Sequence, residues 1–215
     1  MSAYIVYVEL DGFYIRTLGL SEDQPAVIHR DKIVLDLNIA AECRGLTRNM
    51  GLAEAKAMLG RNGVYVAWES DTYTKDQEDW LDVITQFADT VEPVSQHQCL
   101  ADLSAHPDPD DVVVHIHRAL TSADYLVRTG TGSCRWIAAL RCRVPNRPIC
   151  DLAVQHLPVS HGISQRLLAL GCRTIGDVAS TPIEQLRRQF GSDAHCIHQA
   201  ALERGDHFVK AAYPP

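Results

Sequence analysis

AYIVYVELDGFY, residues Ala3–Tyr14, has the composition of a buried strand that turns into a helix. Ile5, Val6, Tyr7 and Val8 form a β-branched and aromatic run, as in a strand covered on both faces. Glu9 and Asp11 follow at its C-terminal end. Two residues apart on a strand, they project to the same side. Two carboxylates held together on one face are costly unless a cation lies between them. The stretch is either an ordinary acidic strand end or part of a cation site.

A second stretch, Val91–Ser104, reads VEPVSQHQCLADLS. The two stretches together resemble the palm of the Y-family, or translesion, DNA polymerases. The first signature of that family is a strand running into V-D-x-D-x-F-[FY], which matches Val8-Glu9-Leu10-Asp11-Gly12-Phe13-Tyr14. The second is V-E-x-x-S-x-D-E-A-x-L-D, which matches Val91-Glu92 and then Ser95-Gln96-His97-Gln98-Cys99-Leu100-Ala101-Asp102. The frame is kept and its inner acidic pair is not: His97 and Gln98 stand where the family carries Asp and Glu. Tyr14 matches the aromatic that gates against ribonucleotides in the family; its other reading is a core aromatic at a strand–helix junction.

Val34–Leu59 resembles the family's fingers, N-Y-x-A-R-x-x-G-V-x-x-G-M-P-L-x-E-A. Asn38, Ala41, Gly45, Met50, Leu52, Glu54 and Ala55 keep that skeleton. The tyrosine and arginine that hold the incoming triphosphate in the family are matched by Ile39 and Glu42. A carboxylate repels a triphosphate that a forked guanidinium would bind. Leu52–Leu59 is predicted helical from its apolar spacing and helix formers. Further on, Gly130-Thr131-Gly132 opening Ser133–Arg143 resembles G-I-[AG]-x-N-K-x-x-A-K-[IL]-A. Arg135 takes the place of a lysine that reaches the triphosphate, and either meets a phosphate or caps a helix facing acidic neighbours.

His156–Gly191 resembles the family's thumb, with a helix-hairpin-helix followed by L-G-[IV]-x-T-[IV]-G-D-L-A. Gly162-Ile163-Ser164 matches the hairpin's G-[IV]-G with one glycine replaced. Leu170-Gly171-Cys172-Arg173-Thr174-Ile175-Gly176-Asp177 matches the next segment. A glycine turn lets helix-start amides approach a phosphate regardless of base identity. Gly162, Ile163, Ser164, Arg166, Gly171, Arg173, Thr174 and Gly176 are therefore candidate DNA contacts, with Arg187 and Arg188 as further counter-charge. The other reading is a small helical bundle whose hairpin packs against a neighbour.

The chain in order reads as strands at Gln24–His29, after Arg61, at Ser95–Ser104 and at Tyr125–Thr129, and as helices at Phe13–Leu20, Asp76–Thr90 and Val112–Leu120, with a loop over His106–Asp111. His115 and His117 are read as surface histidines. The resemblance implies an α+β fold: a palm with a mixed or antiparallel sheet and helices, small fingers, and an all-α thumb with helix-hairpin-helix. It divides the chain into palm at 1–30, fingers at 31–76, palm again at 77–150 and thumb at 151–215, with the family's little finger absent from these residues.

With 46% apolar and 22% charged residues, 215 residues suit one large domain or two small ones. No run approaches the roughly 18 apolar residues of a membrane span, and no secretory pattern opens the chain. Seven cysteines without a C-x-x-C pair read as reduced core thiols, not disulfides or a zinc site. Net charge is −7, against a generic nucleic-acid binder. Residues 1–124 hold 9 Lys+Arg and 21 Asp+Glu, whereas residues 125–215 hold 11 and 6. That asymmetry reads as a basic face on an acidic body.

Nucleotidyl transfer relies on positioning and charge stabilisation around Mg²⁺, which demands oxygen ligands. Glu9 is one carboxylate; imidazole suits other metals and an amide is uncharged. The expectation is a protein with no intact catalytic residue, no bound metal and no cofactor, with Glu9, His97 and Gln98 as vestiges. It resembles in kind the ImuB-type proteins, Y-family relatives without the catalytic acids that act as adaptors in bacterial SOS mutagenesis. That likeness implies DNA (primer–template or damaged) and other mutasome or replication proteins as partners, and a bacterial cytoplasmic, nucleoid-associated location. Two alternatives stay open. One is a divergent active translesion polymerase that uses Glu9, Asp11 and Asp102 with Mg²⁺ or Mn²⁺. The other is a protein-interaction module without DNA binding.

Overall fold

The computed structural model describes residues 3–214. The first strand, β1 (Ile5–Asp11), lies inside a four-stranded sheet and ends at Gly12, which adopts φ +64° and turns the chain into helix α1 (Phe13–Thr17). Next come β2 (Ala26–Arg30), β3 (Ile33–Leu37), the single turn α2 (Ile39–Glu42), α3 (Leu52–Leu59) and β4 (Val64–Ala67). Helix α4 (Thr74–Thr85) leads to the hairpin β5 (Thr90–Ser95) and β6 (Gln98–Asp102). Helix α5 (Pro109–Ser122), β7 (Leu126–Gly132) and α6 (Arg135–Arg143) complete this part. Four helices follow: α7 (His161–Ala169), α8 (Ile175–Ser180), α9 (Ile183–Phe190) and α10 (Asp193–Ala201).

The main sheet has the order β5-β6-β1-β7, with every neighbouring pair antiparallel. The alternation of β1 sends Val6, Val8 and Leu10 to one face, where they pack with Trp80, Leu81 and Ile84 of α4 and Ile116 and Leu120 of α5. Ile5 and Tyr7 point to the other face, against Ala138 and Cys142 of α6. The strand is thus covered on both sides, as its composition predicts. Gly130 and Gly132 lie opposite Tyr7 and Ile5 in β7. A Cβ at Gly130 would fall 2.1 Å from the Cys142 amide nitrogen and 2.3 Å from the Ala138 carbonyl oxygen, so these glycines let α6 down onto the sheet.

A smaller sheet, β3-β2-β4, packs with α2 and α3 around Val27, Val34, Leu37, Ala41, Leu46, Ala55 and Leu59. The third core lies among α6 to α10 and is built on Ile137, Leu167, Ile175, Val178, Leu186 and Ile197. The segment after α10 returns to the main sheet. Ala212 and Tyr213 donate backbone hydrogen bonds to the Val91 carbonyl, and Val209 is buried beside Tyr7.

Several sequence-based expectations change. The strand expected over Ser95–Ser104 is the end of a hairpin: the chain turns at Gln96-His97, and β6 starts at Gln98. Gly130-Thr131-Gly132 is the end of β7, and α6 begins only at Arg135. A boundary at residue 30 falls inside the β2–β3 hairpin; β2 belongs to the small sheet, because it pairs with β3 and β4 and not with β1. Helix α1 stops at Thr17, and α5 starts three residues earlier than the expected helix, with Asp108 capping it and Pro109 at its first position. The predicted helix at Leu52–Leu59 is α3 itself. Of the seven free cysteines, Cys43, Cys150 and Cys196 are exposed and the other four buried. Met1, Ser2 and Pro215, at the outer ends of the expected first and last segments, lie outside the described residues.

Candidate functional site

Glu9 and Asp11 sit on the face of β1 that carries Ile5 and Tyr7, just past the end of α6. The cation that such a pair requires is Arg128 of β7, directly opposite Glu9 across the strands. Its Nη2 donates to Glu9 Oε1 at 3.1 Å and to Asp11 Oδ1 at 2.7 Å. Its Nε lies 2.5 Å from Asp11 Oδ2, off the direction of the N–H bond, so that contact is ionic and not a hydrogen bond. Burial pulls the guanidinium down, but the Asp11 hydrogen bond and the Glu9 charge outweigh it and hold Arg128 above its ordinary value.

A second arginine extends the chain of charges. Arg48, in the turn before α3, reaches Asp11 at 3.4 Å and Asp36 of β3 at 3.0 Å. Asp36 is 3% exposed, and its second oxygen has no partner. The order Glu9–Arg128–Asp11–Arg48–Asp36 therefore crosses from the main sheet to the small one.

Gln98 is the register partner of Glu9, so the turn places the two remaining signature positions beside the acidic pair. Gln98 Oε1 accepts from Ser95 Oγ at 3.2 Å. The His97 carbonyl accepts from the Leu10 amide, and its ring turns inward. Nδ1 lies 3.2 Å from Tyr14 Oη and 3.2 Å from Ser95 Oγ. Burial lowers the imidazole below its ordinary range, against the pull of Glu9 and Asp36. Tyr14 meets Phe13, Tyr73 and His97 edge-on and is 6% exposed. Its hydroxyl is pushed up to about 12, chiefly by burial.

These side chains do not fit a family-type Mg²⁺ site. Of the three signature positions only Glu9 is a carboxylate, and it is already held by Arg128. Among the described residues no group of three His, Cys, Asp or Glu side chains is placed to hold a metal ion. Asp102, the third carboxylate of the alternative site, pairs with Ile5 at the far end of the strand. It is four residues from Gln98, about 13 Å along the sheet. There it accepts from the Ser104 amide and hydroxyl. It therefore cannot join Glu9 and Asp11 in one site.

The acidic end opens into a cleft of about 830 Å³ between the two sheets, edged by Arg16, Asn38, Ile39, Glu42, Arg48 and Arg128. Ile39 projects into it, 61% exposed. Asn38 explains its place in the skeleton: it is buried, caps α2 through the Ala41 amide, and also ties Ser21, Gln24 and Ala26. Arg135 lies away from this cleft. It grips Glu92 with both Nη atoms and donates to the Phe208 carbonyl at 2.9 Å. The fork therefore meets an acidic neighbour, while the N-cap of α6 is Cys134 and not Arg135.

In the helical part, Gly162-Ile163-Ser164 is the first turn of α7, capped by Ser160. The segment before it is only a 3-10 turn, Val154–His156, so the first helix of the expected hairpin is missing as an α-helix. Gly162 is open to solvent, whereas Ser164 is buried with its hydroxyl unpartnered. Gly171 adopts φ +90° to end α7. Thr174 and Asp177 form a capping box on α8, and Gly176 lies against the Cys150 carbonyl. Arg166 donates to the Gln189 carbonyl and covers the Phe190 ring. Arg173 and Arg188 are exposed. His115 and His117 are surface residues, as expected.

Sequence reading missed Arg48, Asp36 and Arg128. Arg128 had a signal: it shares the alternation of Gly130 and Gly132, which sets it on the Glu9 face. Arg48 and Asp36 had none, since their meeting depends on how the small sheet is placed.

The four-stranded sheet, the small sheet and the trailing helices make up the fold of the Y-family polymerases. The impB/mucB/samB family model matches residues 1–144, and the chain belongs to that family. DNA polymerase IV of Pelotomaculum thermopropionicum is 23% identical over 229 residues, which cover 94% of this chain. The chain spans 57% of the length of that polymerase. Among solved structures, the Dbh ternary complex superimposes with a TM-score of 0.79 at 17% identity, over 97% of this chain and 69% of its own. DinB from Sulfolobus solfataricus does so with a TM-score of 0.74 at 15% identity, with the same two coverages. No helix among the described residues is long and apolar enough to cross a membrane.

Proposed function

We propose that this protein is a catalytically inactive relative of the Y-family polymerases that binds DNA and serves as a scaffold in damage-tolerant replication, of the ImuB type. The observation that carries the reading is Arg128 seated between Glu9 and Asp11, with a neutral imidazole and an amide at the other two signature positions. A fixed guanidinium supplies the charge balance for two carboxylates, but it offers no electrophilic centre for a triphosphate. Glu42 and exposed Ile39 at the cleft wall add nothing that would attract one.

The helical part is the DNA-binding surface in this reading. Arg173 and Arg188 are exposed, and the open first turn of α7 presents backbone amides suited to phosphate without base preference. Other mutasome proteins and a nucleoid location follow from the same proposal.

The test is fluorescence anisotropy on a primer–template over a range of salt, with primer extension on the same sample. Binding should weaken as salt rises, and Arg173→Glu/Arg188→Glu should flatten the slope by about one unit per lost phosphate contact. DNA binding without extension supports the scaffold. Extension overturns it, and salt-independent or absent DNA binding would leave the interaction-module alternative in its place.

A further inference from the structure

We infer that Arg128 is a built-in cation in place of a bound one, and that with Arg48 it latches the small sheet to the main sheet. The latch adds to the apolar packing of Ala26 and Ile28 of β2 against Val6 and Val8 of β1. This deepens the inactive reading of the same residues and rests on it.

The first observation is the sharing of one guanidinium. Arg128 contacts both oxygens of Asp11 and one of Glu9, and so neutralises the strand end from a fixed point on the neighbouring strand. Glu9 and Arg128 are directly paired, so the register of β1 with β7 already determines the contact. Its side chain is 38% exposed, whereas that of Glu9 is 12% exposed, so the arginine covers the carboxylate from solvent.

The second observation is that the charges do not stop at the sheet. Arg48 holds Asp11 on one side and the buried Asp36 on the other. Asp36 has no other partner among the described residues. Three carboxylates and two guanidinia thus alternate in sign across the junction of the sheets. Removing Arg128 leaves Glu9 and Asp11 together at the strand end without the cation between them, and a small hard cation is what such a pair would then attract.

The test uses the full chain and Mn²⁺ alone, read by the electron paramagnetic resonance of free ion and by the thermal midpoint. Wild type should neither bind Mn²⁺ nor shift in millimolar ion. Arg128→Met should melt lower, bind Mn²⁺ at concentrations about tenfold or more below those at which wild type shows none bound, and recover over half of the lost midpoint in its presence. Glu9→Gln on that background should abolish the recovery. Arg128→Lys keeps the charge and should stay close to wild type in Mn²⁺ binding. If Arg128→Met folds only in Mn²⁺, the inference holds; if it folds in neither condition, or folds without gaining the ion, the inference fails. Mn²⁺ binding by wild type also overturns it. Each of these failures is separate from that of the proposed function, which is decided by primer extension.

Discussion

The sheet and the helical bundle hold their polar residues in different ways. In the bundle, Thr174 caps α8, Gly171 ends α7, and Gly176 lies against the Cys150 carbonyl. In the sheet, Glu9, Asp11 and Asp36 have no such backbone role and are balanced by two arginines that no motif predicts. Motif residues in the bundle thus have local roles in the fold. At the sheet end, the frame survives through Val6, Val8 and Leu10, whose burial does not depend on what the neighbouring acids do. Similarity of frame therefore reports packing, and the chemistry must be read from the odd-numbered face of β1.

The largest effect is expected at Gly130. Gly130→Ala would force a Cβ into the backbone of α6 and should cost about 3 kcal/mol or more, seen as a collapse of the urea midpoint. A variant that melts like wild type would mean α6 does not rest on β7 as described. Arg48→Met comes next. It strands the buried Asp36 and should cost about 2 kcal/mol, a figure already discounted for the partial exposure of Arg48. The same measurement on Asp36→Asn/Arg48→Met should recover part of that loss, since the stranded charge is gone.

Acid titration sharpens the contrast. The hydrogen bonds from Arg135 hold Glu92 below the usual carboxylate range, opposed by burial and aided by the Lys210 amide. A lowered value means the unfolded chain binds the proton first as pH falls. The contribution of Glu92 is therefore complete above the ordinary Glu value, about 4.3, and is lost as pH drops through the folded one. Denaturation curves from neutral pH to about pH 3 should show a shallower acid limb for Glu92→Gln. An unchanged limb would remove Arg135 from the stabilising contacts and reopen its phosphate reading. The smallest effect expected is Thr174→Ala, about 1 kcal/mol for the lost cap, in the bundle alone.

Much of the frame was legible in the sequence. The β-branched run of Ile5–Val8 announced a strand covered twice, and apolar spacing located α3 to the residue. The hairpin at Gln96-His97 was not, because the turn carries none of the usual turn residues: no glycine, proline, asparagine or aspartate. The unpaired carboxylates at Glu9 and Asp11 correctly demanded a cation. Arg128 could be traced through the alternation of β7, whereas Arg48 and Asp36 depend on the approach of a second sheet, which no local pattern encodes. For Tyr14 and Arg135 the sequence does not encode the surroundings: the ring lies among other rings, and the fork lies on Glu92.

The most direct measurement is single-turnover primer extension by the wild-type chain, on undamaged and abasic templates, with Mg²⁺ and then Mn²⁺. An inactive scaffold should show intact primer–template binding and no extended product with either ion, and Glu9→Gln should change neither result. Product that disappears in Glu9→Gln would contradict it, for it would show a reactive metal at a carboxylate assigned here to Arg128.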